Sequence, residues 1–166
     1  MPSTASDQTT RLLAMFGSIL VIAGCYLPCV ELDPPLVFGP KPPVQTLVSA
    51  EPFAAIGVLA MTALVCVGTF GKSRARVPLT WLFAILLLAA IAGAGFYLRH
   101  NLTRVAAQVN ANTGATASFR LLWGWAVLGA GGLVQLVTAV WATRSAARTK
   151  SADVEVAPPA EAPAAS

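Results

Sequence analysis

The sequence predicts an all-α membrane protein whose four transmembrane helices run up and down in a bundle. Hydrophobic residues make up 56% of its 166 residues and charged residues only 11%, whereas roughly a quarter of the residues in soluble proteins are charged. The mean hydropathy is +0.70. Four apolar segments approach the roughly 20 residues that cross about 30 Å of hydrocarbon as a helix, namely 12–30, 53–70, 79–98 and 121–142. Lipid is therefore the predicted solvent for most of the chain.

The first span, 12–30, follows a small and polar segment, 1–11, which we expect to be a disordered N-terminus. A cleaved signal segment is the alternative, because residues 22–25, IAGC, resemble the lipobox of bacterial lipoproteins, whose cysteine is lipidated. The apolar run extends beyond the roughly 7–15 residues that are usual in a signal segment. A transmembrane helix is the preferred interpretation, and lipidation of Cys25 stays open.

The connection 31–52 is rich in proline, which lacks an amide donor and disfavours helix at the residue before it. We expect an extended, polyproline-like excursion, in which 36–38 is a candidate strand. Its charges sum to −2 and belong to Glu31, Asp33, Lys41 and Glu51.

A short basic turn, 71–78, joins the second span to the third, 79–98. Apolar residues recur at helical spacing beyond that span, so the helix is predicted to continue as an amphipathic extension before the chain turns at 110–114. The fourth span, 121–142, precedes a segment rich in Ala, Pro and Ser, 143–166, which we expect to be a disordered tail.

The basic residues predict the orientation of the transmembrane domain, 12–142. Seven of them fall on the side of the two termini and the basic turn, and they are Arg11, Lys72, Arg74, Arg76, Arg144, Arg148 and Lys150. The other side holds four, which are Lys41, Arg99, Arg104 and Arg120. The positive-inside rule then predicts a multi-pass protein of the bacterial cytoplasmic membrane with both termini in the cytoplasm.

None of the four spans contains Asp, Glu, Lys, Arg or His. Intramembrane ionisable residues mark proton relays and ion pathways, so transport through a buried carboxylate is disfavoured. The strongest polar group is Gln135, near the middle of the fourth span, for which we expect a hydrogen bond to another helix rather than a ligand role. Small residues that allow close helix approach occur in three spans, although none forms a GxxxG motif. They are Ala14, Gly17, Ser18 and Gly24 in the first span, Ala89, Ala90, Gly93 and Ala94 in the third, and Gly124, Gly129, Gly131 and Gly132 in the fourth.

Cys25 and Cys29 are spaced to lie on one face of a helix near the outer end of the first span. A disulfide between them does not fit an ideal helix, and a metal site with His100 would need a further ligand. Quinone-reducing thiol oxidoreductases with four helices use an outward CxxC and a second cysteine pair, which this chain lacks, since Cys66 is its one other cysteine. No catalytic triad or phosphate-binding loop occurs in the sequence either. We therefore expect neither an enzyme nor a bound cofactor or metal.

Residues 17–30 read GSILVIAGCYLPCV, and the fourth span with its flank reads LLWGWAVLGAGGLVQLVTAVWATR. Together with the proline-rich connection and the basic turn, this resembles the small four-span proteins of actinobacteria and other bacteria whose first helix closes on Leu-Pro-Trp, with Cys29 in place of the aromatic residue. The chain is also loosely similar to the four-span membrane proteins found beside tryptophan-synthesis genes. The resemblance implies an architecture for residues 12–145 and no activity.

The leading functional hypothesis is a structural or accessory membrane protein that acts through contacts with lipid, a membrane-protein partner or a second copy. Nucleic acid is not an expected partner, because the net charge of +4 comes from basic residues at membrane boundaries rather than from one stripe. The alternative is a small transporter or lipid-handling protein that uses Gln135 and an apolar groove. The two outer connections carry net charges of −2 and +3, so we expect them to dock on one another or on a partner.

Overall fold

The computed structural model describes residues 5–33, 44–70, 76–114, 116 and 118–155. The helices in these ranges are α1 (Ala5–Tyr26), α2 (Leu47–Ala50), α3 (Pro52–Phe70), α4 (Arg76–Thr113) and α5 (Gly124–Glu155). The strands are β1 (Pro28–Asp33), β2 (Val44–Thr46) and β3 (Ser118–Leu121).

Four of these helices are long and apolar enough to cross a membrane, and the qualifying stretches are Gln8–Tyr26, Pro52–Phe70, Val77–Asn112 and Gly124–Ala147. Many of their large apolar side chains face outward, such as Phe53, which is 86% exposed, and Phe96, which is 75% exposed. Outward apolar surface on this scale is unusual for a soluble monomer and suits helices in contact with lipid. The prediction of four long apolar helices that could span a membrane is confirmed.

Each of the four long helices packs against two of the others. α1 packs chiefly against α5, and α3 packs chiefly against α4, while α1 also contacts α3 and α4 also contacts α5. α1 and α5 run in opposite directions, because Gly17 lies beside Gln135 and Gly24 lies beside Leu128. The core between the helices contains the buried side chains of Val21, Val58, Val65, Leu87 and Leu128.

α1 ends at Tyr26, before the predicted boundary of the first span at residue 30. Its last helical hydrogen bond runs from the Leu27 amide to the Ala23 carbonyl, at 3.0 Å. Pro28 has no amide hydrogen to continue the series, and its ring disfavours helical backbone at Leu27. The chain therefore leaves the helix and enters β1.

The strands form one antiparallel sheet in the order β2-β1-β3. β1 follows α1, β2 leads through α2 into α3, and β3 lies between α4 and α5, so the sheet connects the ends of all four long helices. Glu31 of β1 stands opposite Val44 of β2 and Arg120 of β3. The two oppositely charged connections thus dock on one another through backbone pairing. This pairing also explains why α5 begins at Gly124 rather than at 121, because Leu121 is held opposite Val30 in the sheet.

α4 is about 57 Å long at 1.5 Å per residue, so it extends well beyond the roughly 30 Å of a hydrocarbon core. Its second half passes over the sheet, where Ala106 is buried. The helix continues through most of the turn predicted at 110–114 and ends at Thr113, and the following Gly114 has a φ of +66°. The Gly114 amide donates to the Asn110 carbonyl at 3.1 Å, and the left-handed conformation suits glycine because it has no Cβ. We call β1, β2, β3, α2, Glu51 and residues 98–113 of α4 the head.

Two helices extend into segments that were predicted to be disordered. α1 begins at Ala5, within the segment 1–11, and α5 continues to Glu155, within the tail 143–166. The added residues of α5 are rich in Ala and Arg, which have high helix propensity, and extending an existing helix avoids the cost of a new nucleus. The rest of the predicted tail, 156–166, lies outside the described residues.

Other predictions also fall on parts of the chain outside this description. They concern most of the basic turn with Lys72 and Arg74, and the proline-rich segment 34–43 with Lys41 and the candidate strand 36–38. Among the other basic residues, Arg76 is the first residue of α4, and Arg148 and Lys150 belong to the last turns of α5.

Candidate binding pocket in the head

A pocket of about 420 Å³ lies in the head, between the sheet, α2 and α4. Small-molecule sites typically measure roughly 300–1,000 Å³, so the pocket is large enough for a small ligand. Half of its wall is apolar, formed by Leu32, Ala50, Leu98, Leu102 and Val105. The other half is polar or charged, formed by Gln45, Glu51, Asn101, Arg104 and Gln108.

α4 supplies most of this wall. Leu98, Leu102 and Val105 follow one another at intervals of four and three residues, which places them on one face of the helix. Arg104 and Gln108, also four residues apart, stand beside that face and further from the apolar span. The wall therefore becomes more polar along the roughly 15 Å from residue 98 to residue 108.

Glu51 occupies the junction between α2 and α3. Thr46 and Ser49 form a capping box that begins α2, in which the Ser49 amide donates to Thr46 Oγ1 at 3.2 Å. The Glu51 amide then donates to the Leu47 carbonyl at 2.9 Å, and the Glu51 carbonyl accepts from the Ala55 amide at 3.1 Å. The backbone of Glu51 is thus held on both sides, immediately before the first residue of a spanning helix.

The sheet forms the inner side of the pocket. Leu32 and Gln45 are 4% and 5% exposed, and they adjoin a core that includes Cys29, Val30 and Leu47. Burial raises the pKa of the Cys29 thiol, while a hydrogen bond with the Leu47 backbone lowers it to a smaller extent. A buried thiol of raised pKa remains protonated at neutral pH, so Cys29 acts here as a small apolar core residue.

The pocket carries one acidic and one basic group. Asn101 Nδ2 donates to Glu51 Oε1 at 3.4 Å, which links α4 to the α2–α3 junction. Within the described part of the chain, neither the Glu51 carboxylate nor the Arg104 guanidinium forms an ion pair. None of the ten wall residues is Ser, Thr, Cys, His or Lys, so the described wall lacks a nucleophile with an adjacent base.

Gln135 lies away from this pocket, at the interface of α5 with α1. Its Nε2 donates to the Ala14 carbonyl at 2.9 Å and to Ser18 Oγ at 2.8 Å. Ser18 Oγ donates its own hydrogen to the Ala14 carbonyl at 2.8 Å, so at the 3.1 Å contact with Cys66 the thiol is the donor. The Gln135 side chain is fully buried, and its Oε1 has no hydrogen-bond partner among the described residues. These contacts connect α1, α3 and α5.

The cysteine and histidine residues do not form a common site. Cys25 lies in α1 and Cys29 in β1, so the prediction that they share a helix face is wrong, although both are buried in one core. Cys29 Sγ donates to the Gly24 carbonyl at 3.5 Å. His100 is exposed and stacks on Phe96, with ring centroids 6.2 Å apart. The described residues contain no group of three His, Cys, Asp or Glu side chains that would hold a metal ion.

The end of the helices away from the head holds basic residues from which the orientation was predicted, and the structure describes the side chains of Arg11 and Arg144. The Arg11 guanidinium lies over the Phe70 ring, 5.9 Å from its centroid, and so connects α1 with α3. Arg144 is exposed near a second contact, in which Trp81 Nε1 donates to Thr143 Oγ1 at 2.9 Å. In both contacts a side chain with an apolar body and a polar group, Arg11 or Trp81, lies at the end of an apolar span.

Sequence reasoning did not identify the pocket. It counted Glu51 and Arg104 only as loop charges and did not single out Asn101 or Gln108. The helical spacing of apolar residues after 98 was the available signal, but the partner surface comes from a connection some fifty residues earlier in the chain. The chain matches no family model, no curated protein and no solved structure. The resemblance to small four-span bacterial proteins therefore remains a prediction.

Proposed function

We propose that this chain is a structural or accessory protein of the bacterial cytoplasmic membrane. In this proposal its four helices run up and down, both termini are cytoplasmic, and the head lies on the outer surface. It acts there through contacts with lipid, with a membrane-protein partner or with a second copy, rather than as an enzyme.

The observation that carries the proposal is that two connections fold together into one head. One of them joins α1 to α3, and the other joins α4 to α5. Cys29, Val30, Leu32, Leu47 and Leu98 are each at most 4% exposed, and they continue the buried core of the long helices into the head. A short connection would be enough to reverse the chain between two helices. A sheet, a core and a pocket instead provide a shaped surface for recognition.

The hydrogen bonds within the spans also support a structural role. Thr62 and Thr69 donate to carbonyl groups of their own helix, and Gln135 donates to α1. Each of these polar groups is used in helix structure or helix packing, which is the usual role of isolated polar residues in transmembrane helices. The orientation is supported by the basic residues at the end opposite the head.

The decisive test is purification of the full chain from native membranes in mild detergent, with identification of the lipids and proteins that accompany it. We expect a companion in a fixed ratio that is lost when the exposed Asp33 of the head is changed to Lys, and retained when the exposed Arg144 at the other end is changed to Gln. A companion that depends on Arg144 and not on the head would contradict the proposal.

The orientation has its own measurement. A single cysteine introduced as Ser73→Cys, in a variant whose native cysteines are changed to Ser or Ala, should react with a membrane-impermeant maleimide only after the cells are opened. A cysteine at Asp33 should react in intact cells. The reverse pattern would place the head in the cytoplasm.

The pocket favours the lipid-handling form of the alternative function over a small transporter. Gln135 is enclosed between α1 and α5, whereas the pocket in the head is open and adjoins the end of a spanning helix. If Gln135→Leu selectively abolished movement of a substrate while the protein remained folded, the transporter hypothesis would be preferred.

A further inference from the structure

The two charges of the pocket restrict the kind of ligand that it can bind. Glu51 and Arg104 are contributed by different elements, and neither neutralises the other in the described structure. A ligand with a single charge would pair with only one of them and leave the other without a counter-charge in the pocket. A zwitterion, with a cation for Glu51 and an anion for Arg104, satisfies both.

The remaining polar groups indicate the type of cation. Glu51, together with the side-chain oxygens of Asn101 and Gln108, offers acceptors for N–H groups. Quaternary ammonium groups have no N–H and are recognised mainly by aromatic faces. None of the ten described wall residues is aromatic, so the pocket is better suited to a primary ammonium group. The planar guanidinium of Arg104 matches a phosphate as the anion.

The apolar half of the wall indicates where the ligand comes from. Leu98 is 2% exposed and ends the predicted third span, and Glu51 directly precedes the spanning stretch Pro52–Phe70. The pocket therefore opens at the boundary of the apolar region. Leu102 and Val105, which are less buried than Leu98, would contact the glycerol and first methylene groups of a lipid, whereas a free zwitterion would leave their exposed surface in water.

We infer that the pocket binds the headgroup of a membrane lipid that carries a primary ammonium and a phosphate, the chemistry of phosphatidylethanolamine. Glu51 accepts hydrogen bonds from the ammonium, Arg104 binds the phosphate, and Leu102 and Val105 of α4 contact the glycerol end. The inference rests on the proposed function in one respect, because it requires the head to lie at a membrane surface.

The test uses the full chain in mild detergent and native mass spectrometry, with titration of lipids that have identical acyl chains. Phosphatidylethanolamine should bind about tenfold more tightly than phosphatidylcholine, which lacks N–H donors, or phosphatidylglycerol, which lacks the cation. Glu51→Gln and Arg104→Gln should each weaken phosphatidylethanolamine binding by about five- to tenfold, the usual effect of removing one partner of a charge-assisted hydrogen bond.

Two matched controls keep the result specific. Arg99→Gln removes the same charge from the same helix, and Glu31→Gln removes an acidic group of the head, but neither residue belongs to the pocket wall. Both should leave binding unchanged. Val105→Trp should block the pocket, and since Val105 is 41% exposed, the larger side chain can be added without disrupting the core. Thermal unfolding of every variant is measured alongside binding, and variants that remain folded decide the test.

Three outcomes would overturn the inference. The first is equal binding of the three lipids, and the second is an effect of Arg99→Gln as large as that of Arg104→Gln, which would indicate general surface charge. The third is competition by free phosphoethanolamine at the affinity of the lipid, which would make the ligand a soluble zwitterion. If any of these occurs while the companion that depends on Asp33 still co-purifies, the accessory role stands and only the lipid assignment fails.

Discussion

The interfaces α1–α5 and α3–α4 are built in different ways. Between α1 and α5 the backbones approach closely, because a methyl group added at Gly24 would lie 2.8 Å from the Leu128 amide nitrogen. A methyl group at Gly131 would lie 2.8 Å from the Val21 nitrogen. Between α3 and α4, the nearest atom to a methyl group at Gly68 would be in a side-chain ring, that of Phe83, at 3.3 Å.

This difference shows how helices associate in a solvent that gives them no hydrophobic reason to do so. Close backbone approach increases van der Waals contact between the helices. It also brings the Gln135 side chain within hydrogen-bond distance of α1. The α1–α5 pair therefore joins the first and last spans of the chain by shape and by hydrogen bonds. The α3–α4 pair joins helices that are consecutive in sequence, for which a short connection already favours association.

The largest expected effect comes from separating the backbones of α1 and α5. Gly24→Ala and Gly131→Ala should each lower the free energy of unfolding by about 1–3 kcal/mol, because the added methyl group meets backbone atoms that cannot turn aside. Thermal unfolding in detergent measures the change. Gly93→Ala is the matched control, because a methyl group there meets no described atom within 4 Å, and it should stabilise α4 by up to about 1 kcal/mol. Equal destabilisation by all three variants would show that the close approach of α1 and α5 is unimportant.

A smaller effect is expected from removing the hydrogen bonds of the same interface. Gln135→Leu should destabilise the protein by about 0.6–2 kcal/mol, the range for interhelical hydrogen bonds in membranes. Thr138→Val is the control, because Thr138 Oγ1 donates to Val134 in its own helix, at 2.9 Å. A double-mutant cycle of Gln135→Leu with Ser18→Ala should give a non-zero coupling energy. Strict additivity would argue against the direct bond.

The smallest effect is expected at the α3–α4 interface. Gly68→Ala should change the unfolding free energy by no more than about 1 kcal/mol, because the Phe83 ring can shift by a few tenths of an ångström and alanine favours the helix. The variant is compared with Gly24→Ala in the same detergent. A loss at Gly68 that equals the loss at Gly24 would remove the distinction between the two interfaces.

Several features of the fold followed from local sequence alone. Apolar length predicts the four long helices, because only a run of about this size crosses hydrocarbon. Pro52 agrees with the start of α3, which lies one residue from its predicted boundary. Boundaries were less accurate at Pro28, where an apolar run continued through a proline that ends α1. They were also less accurate at Leu121, which hydropathy assigned to a span and the sheet recruits as a strand.

The candidate site could be predicted only in part. The spacing of Leu98, Leu102 and Val105 indicates a helix face that needs a partner, but it does not say which segment covers that face. Glu51 reaches Asn101 because α2 and the sheet fold the first connection back over α4. Such a contact depends on strand register, and a shift of one residue would turn every side chain of the strand to the other face.

Sequence by itself determined the number of long apolar helices and the asymmetry of basic charge, because each depends on the composition of continuous segments. Tertiary structure decided that Gln135 binds α1, that the two connections share one sheet, and that Glu51 and Arg104 belong to one pocket. These features join residues far apart in the chain, and the energy of a close backbone approach or a strand pair is not encoded in either segment taken alone.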